Sequence, residues 1–394
     1  MYNMYIMNNK ILKYFEENSI DNYIKKIVNC KDNDACWCDS GKKYKDCHKL
    51  YKGKDINNGR TLYLLSKLKN KKMCLHPDKD KCNGKIIDAH SIQNSKSLES
   101  ICENGMVYRF EINSKTIDDW DKYRSIEPKK EGKAKTSIFK GFCSYHDQEL
   151  FKKIDIPSIM PTKEQSLLLS IRSFAKEIYA KSIIFNIDDI YKESQVSDDP
   201  HLLAISQDMS KSFQEGNKLG IEDLFKHYAN IFHIYKNNEY ERVNRLIIKI
   251  KDIPEAICSS CFAPEYDMEG NILQNIITSD TLEYLSFEVF VENRKGIIQL
   301  CWYDNFKYCK EFANSILNKD DIPNTIFKMI FQFSENHAFN ISWYDSLPVL
   351  KKKGIMNLMM LNIASMMNIE NDKYILNDRK KYVNWNIEEI IKDY

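Results

Sequence analysis

The sequence predicts an α+β protein in which small Cys/His-rich modules precede a larger α+β domain. Three observations carry this. Seven of the twelve cysteines fall before residue 103, in stretches too poor in aliphatic residues to build a core. Beyond residue 160 an apolar stripe at helical spacing runs through Leu167, Leu168, Ile171, Phe174, Ala175 and Ile178. Further on, LEYLSFEVFV and GIIQLCWYD, separated by ENRK, read as a β-hairpin.

Taken in order, residues 8–30 place Ile11, Leu12, Phe15, Ile20, Tyr23, Ile24 and Ile27 three or four apart, which predicts a helical arm. Residues 31–55 are rich in Lys, Asp, Gly and Cys and need a metal to organise them. Leu62, Leu64, Leu65 and Leu68 predict a second helix over 57–70, and a second Cys/His region runs from Cys74 to Phe151. Thr162 with Gln165 forms a capping box that opens the rear domain. Helical patterns continue to about residue 250, followed by an extended, turn-rich segment, the hairpin, and another helix. A strand at His337 to Trp343 and a Met-rich helix at Ile355 to Met367 complete the reading. The expected domains are 1–55, 56–155 and 160–394, with no internal repeat.

Net charge is +2, but its distribution is uneven. Residues 1–150 hold 29 Lys and Arg against 21 Asp and Glu, and the remainder holds 29 against 35. A basic front half attached to an acidic rear half points nucleic acid, DNA in preference to RNA, at the N-terminal part. The longest apolar stretches are too short and too interrupted to span a bilayer, and the first residues lack a signal-peptide h-region. A cytoplasmic protein without a membrane contact is the expectation. In such a reducing compartment, clustered Cys and His read as metal ligands and not as disulfides.

The segment CWCDSGKKYKDCH sets Cys36, Cys38, Cys47 and His48 within thirteen residues. Folded at Ser40-Gly41, these four can close a tetrahedron around Zn²⁺ with no open coordination position, so the site is structural. This segment resembles the SEC-C motif, a short zinc module, and departs from it mainly at Asp39, where the family usually has Gly. The resemblance implies a docking element for a protein or nucleic-acid partner, not a catalyst. Lys42, Lys43 and Lys45 either face that partner or keep the knuckle soluble.

A second set follows. Cys74 and Cys82 bracket a polar turn, and Cys143 with His146 make a C-x-x-H pair at the start of a helix, together one zinc ligand set. His76 is an alternative to Cys82. Between the pairs, Ile86-Ile87-Asp88-Ala89-His90 reads as a strand ending in a histidine. This order resembles the HNH endonucleases, whose treble-clef ββα-metal module carries a strand histidine that activates water and a helix-start residue that holds a divalent ion. The resemblance implies that His90 is the general base and Asp147 the metal ligand, with Asn94 or Asn104 as the loop-orienting Asn. It implies Mg²⁺ or another divalent ion at the catalytic centre, beside structural zinc. Ala89 departs from the His or Asp that usually precedes the catalytic histidine, and Asp88 would replace it only through a bulge. A second-shell role for His90 is the alternative, and His146 is either zinc ligand or active-site histidine.

In the rear domain Cys258 and Cys261 form a lone C-x-x-C, read as two buried residues. Asp267 and Glu269 lie in an acidic loop that either lines a pocket or simply turns the chain. The combined expectation is a zinc-containing HNH-like nuclease, of a make-up that resembles anti-phage or mobile-element defence proteins. The alternatives are a non-catalytic zinc protein that binds nucleic acid or protein, and a rear-domain enzyme targeted by the zinc modules.

Overall fold

The computed structural model describes residues 17–50, 70–111, 119–120, 122–155, 161–185, 199–275, 281–365 and 374–394. Residues 57–69 of the helix expected over 57–70, the start of the N-terminal arm, and Met366 and Met367 lie outside them.

The helices are α1 (Glu17–Asn29), α2 (Ser144–Asp155), α3 (Lys163–Phe185), α4 (Pro200–Asn237), α5 (Lys307–Leu317), α6 (Ile322–Gln332), α7 (Ile341–Ser346) and α8 (Val349–Ser365). The strands are β1 (Ala89–His90), β2 (Met106–Arg109), β3 (Lys129–Gly132), β4 (Ile138–Phe139) and β5 (Val243–Ile250). They continue with β6 (Ala256–Phe262), β7 (Leu285–Glu292), β8 (Lys295–Tyr303), β9 (His337–Phe339) and β10 (Ile387–Asp393). The fold mixes helix and sheet as the sequence predicts. Two compact units divide the chain, residues 1–71 with 180–222 and residues 72–179 with 223–394.

The first unit contains α1 and the Cys36 to His48 knuckle. Trp37 is buried at the knuckle's centre, and Ile27, Tyr44 and Leu203 pack against its cysteines. So few apolar residues cannot order this segment by burial alone.

The second unit is built on an eight-stranded sheet in the order β10-β5-β8-β7-β6-β9-β2-β3, with β1 and β4 forming a separate pair. Strands from both sides of residue 160 therefore share one sheet. At its centre, β7 and β8 pair from Ser286↔Cys301 to Glu292↔Lys295 around the two-residue turn Asn293-Arg294. Both turn residues have positive φ, 49° and 62°, the geometry that matches the strands' twist. Leu285, Phe287, Val289 and Val291 point to one face and share a core with Phe312 of α5, Phe327 and Ile330 of α6, and Met359 of α8. Ser286 and Glu288, one step out of phase, face α3 through Ser170 and Ser173.

The Thr162 and Gln165 capping box forms as predicted, Gln165 N donating to Thr162 Oγ1 at 3.2 Å and Thr162 N to Gln165 Oε1 at 3.0 Å. Two expectations need correction. The helical pattern ends at Asn237, where Asn238 turns the backbone left-handed at φ 56°, and residues 243–250 form β5. The β-branched Ile247, Ile248 and Ile250, with Leu246, are buried on a strand paired between β8 and β10. The strand expected to reach Trp343 stops at Phe339, because Asn340 caps α7 by accepting from Trp343 N at 2.8 Å. Among the described residues no helix is long and apolar enough to cross a membrane.

Candidate metal centres

Two Cys₃His groups come together. The ligand atoms of Cys36, Cys38, Cys47 and His48 all lie within 4.8 Å of one another, and so do those of Cys74, Cys82, Cys143 and His146. A tetrahedron with Zn–S near 2.3 Å has edges of roughly 3.5–3.8 Å. In the first group Cys36 Sγ to His48 Nδ1 is 3.3 Å, Cys47 Sγ to His48 Nδ1 is 3.5 Å, and Cys38 Sγ to Cys47 Sγ is 3.6 Å. In the second, His146 Nδ1 lies 3.4 Å from Cys74 Sγ and 3.3 Å from Cys143 Sγ. Both groups fit zinc, each with four protein donors that leave no open position.

Local backbone geometry builds the first group. Cys36 N donates to Lys42 O at 2.8 Å, closing the hairpin-like turn, and Asp39 N donates to Cys36 O at 3.1 Å. Asp39 and Gly41 both sit at positive φ, 56° and 73°, which accounts for a glycine preference at position 39. Ser40 Oγ lies 3.1 Å from Cys38 Sγ and 3.4 Å from Cys47 Sγ, placed to donate its one proton to either thiolate. A hydrogen bond from the Cys36 side chain holds the Cys38 thiol well below the usual thiol range, while Cys36 itself is pushed up. The metal would supply the charge that keeps both ionised.

Residues 33–49 match the SEC-C motif. No curated protein and no solved structure matches the chain. The SEC-C segment thus fixes the identity of the knuckle and leaves the rest of the chain to be read from its geometry.

The second group is assembled from distant segments. Met73 N and Leu75 N donate to Lys140 O and Gly141 O at 3.1 and 2.8 Å, which lays Cys74 beside the chain entering α2. Gly84, at φ 71°, turns the Cys82 loop back, and Ile87 N donates to Phe142 O at 3.1 Å. Cys143 is the residue before α2, and His146 lies in its first turn. Burial pushes the Cys74 thiol up. Cys143 goes the other way: burial opposes ionisation, but hydrogen bonds led by the His146 and Asn83 backbones overcome it. His76 is not in the ligand set. Its ring stacks on His146 at 3.9 Å and 8°, and burial lowers it to about 4. Cys82 therefore completes the group, and His146 is a ligand candidate through Nδ1.

The remaining site candidates fall around this second group. His90 ends β1, paired with Ile138 of β4. It is half-buried, its Nε2 is enclosed without a hydrogen-bond partner, and burial lowers its pKa. Asp147 follows His146 on α2, half-buried, with a carboxyl raised by burial. Arg172 of α3, 4% exposed, acts electrostatically on both His90 and Asp147. Its terminal nitrogens donate to Asp155 at 3.2 Å and its guanidinium lies 4.1 Å from the Phe151 ring. Sequence reading missed Arg172, whose only signal is a cation inside an apolar stripe. Asn94 opens the turn at Asn94–Leu98 and its Oδ1 is enclosed without a partner. Asn104 is exposed at φ 51° in the tight turn before β2 and serves the backbone. Asp88 is exposed and paired with Lys140 at 3.8 Å.

In the rear domain, Cys258 and Cys261 are both buried free thiols. They lie three residues apart on β6 and so point to opposite faces, which rules out a shared metal. The acidic loop holds itself. Asp267 accepts from Glu269 N, Asn271 N and Asn271 Nδ2, each at 2.8 Å, and Glu269 pairs with Lys319 at 2.9 Å.

Proposed function

We propose that this chain is a zinc-stabilised, HNH-like nuclease whose chemistry centres on His90 and Asp147. The observation that carries the reading is that these residues stand on β1 and α2, the elements joined through the Cys74 to His146 group, under the influence of one buried cation, Arg172. A neutral imidazole is the form a general base requires, and the enclosed Nε2 of His90 has no protein partner to compete with a water. Asp147, with Asn94 as the orienting residue, would hold a divalent ion, Mg²⁺ or a similar metal, which supplies stabilisation of charge on the phosphate and leaving oxygen. The basic front half would attract DNA, the SEC-C knuckle would dock a partner, and a defence role accompanies this reading by resemblance. Cysteines gathered with histidine into metal-ligating groups suit the reducing, cytoplasmic setting that this reading assumes.

A second reading, non-catalytic binding of nucleic acid or protein, is favoured by two facts. His90 Nε2 is shut off from solvent, and neither Ala89 nor the Lys140-paired Asp88 offers a second metal ligand beside it. Cleavage of plasmid DNA and of RNA in Mg²⁺, Mn²⁺ and Zn²⁺ separates the two. Nuclease function predicts activity that His90→Ala and Asp147→Asn abolish at unchanged zinc content. Binding without cleavage, or cleavage that survives both substitutions, sinks it.

A further inference from the structure

Glu288 lies at the centre of the sheet, in a row with Ser259 of β6 and Gln299 of β8. It is 2% exposed. Its carboxylate accepts from Ser173 Oγ at 2.7 Å on Oε1, and from Gln299 Nε2 at 2.9 Å and Ser286 Oγ at 3.2 Å on Oε2. No cation is among these partners. Cys301 of β8 shares its face of the sheet, and Cys258 of β6, on the opposite face, feels its charge through the sheet; burial keeps both thiols protonated. Arg245 of β5 and Lys163 of α3 reach Cys301, but both are paired with Asp393 at 3.0 and 3.2 Å. On the same side of α3, Arg172 is held by Asp155 and Lys176 donates to Ile138 O at 2.9 Å. Burial without a counter-charge pushes the Glu288 carboxyl up to about 7.

The serines around it form a chain whose direction is set by proton count. Ser173 lies 2.8 Å from Ser259, which lies 2.6 Å from Ser91. Each hydroxyl has one proton. Since Ser173 gives its own to Glu288, Ser259 must donate to Ser173, and Ser91 to Ser259. A proton arriving on Oε1 makes Glu288 the donor and turns all three bonds round. A proton on Oε2 would meet Gln299 Nε2, which cannot accept, and the Ser286 hydroxyl at 3.2 Å, a longer bond than the 2.7 Å one from Oε1 to Ser173, so Oε1 is the better place for it.

We propose that the Ser91–Ser259–Ser173–Glu288 chain is a proton-sensitive tether, through which the charge state of Glu288 sets the hydrogen bonding of Ser91, the residue that follows His90. Ser91 is fixed from its other side by its own amide, which donates to Ser137 O at 3.0 Å, so the tether acts on β1 directly. This holds whether or not His90 is catalytic.

The test uses the zinc-loaded full chain between pH 5 and 8. Infrared difference spectra follow the protonated carboxyl of Glu288, identified by its absence in Glu288→Gln. The ¹⁵N-serine amide of Ser91, identified by Ser91→Ala, is followed in parallel. The tether predicts that the two signals titrate together near neutral pH and that the Ser91 response vanishes in Glu288→Gln. In Ser173→Ala the carboxyl should still titrate while Ser91 no longer answers. A Ser91 shift that persists in Glu288→Gln, or that survives Ser173→Ala, overturns the proposal. So does a Glu288 carboxyl that shows no titration in this range.

Discussion

Cys74 Sγ and His146 Nδ1 stand 3.4 Å apart although 72 residues separate them in the chain. That approach ties the loop before β1 to the first turn of α2, and it brings His90 and Asp147 onto one small scaffold. A closed Cys₃His site contributes folding free energy directly, because the unfolded chain offers no preformed site.

Zinc removal should therefore act locally. Chelation is expected to open residues 31–50 to proteases, since little besides Trp37 and its few neighbours would hold them. The sheet around Phe287, Leu300 and Phe339 should resist. Limited proteolysis read by mass spectrometry checks this, and early cuts in β7 or β8 would contradict it.

Asp39→Gly should leave the SEC-C knuckle intact and stabilise it by up to about 1 kcal/mol, because glycine adopts positive φ without the steric cost of a side chain. The substitution also removes the ion pair of Lys26 with Asp39 at 3.6 Å, which joins two exposed groups and is worth little. Thermal unfolding of the zinc-loaded protein measures the difference.

Glu288 gives stability a pH dependence of defined sign. Its carboxyl is raised to about 7 from an ordinary 4.5, so between those values the folded chain keeps a proton that the unfolded chain has released. The stabilisation is full below pH 4.5, falls as pH rises, and is gone above about 7, a loss on the order of 3 kcal/mol. Glu288→Gln should flatten this part of the profile in chemical denaturation and be the more stable protein at pH 8.

At Gly354 of α8 an added methyl would run into the Tyr382 hydroxyl, which is already bonded to Asp378 at 2.5 Å. Gly354→Ala should cost about 1–3 kcal/mol through overpacking, despite alanine's better helix propensity. Denaturant midpoints would show it, and a stabilised variant would refute the packing argument.

The sequence made local features legible and left long-range ones open. Cys36 to His48 could be read because spacing alone defines that tetrahedron, and the Thr162–Gln165 box and the Asn293-Arg294 turn are local as well. The choice between Cys82 and His76 could not be read, since it depends on the distant α2 that stacks His146 on His76. Short strands at one end of the sheet, Met106–Arg109 and the edge strand Lys129–Gly132, carry no period strong enough to announce their place in it. Arg172 and the serines around Glu288 escape sequence reading for a related reason. Each is an ordinary polar residue until the fold gives it partners, 17 positions away for Arg172 and Asp155, 86 and 115 for Ser173 with Ser259 and Glu288.

Two independent structural zinc ions in one chain are the central claim, and metal analysis of the protein purified under reducing conditions tests it most directly. Two zinc ions per chain are expected in the wild type, one in Cys38→Ser, one in Cys143→Ser, and none in the double variant. A wild-type chain that binds one ion at saturation, or a Cys143→Ser variant that keeps two, would contradict it.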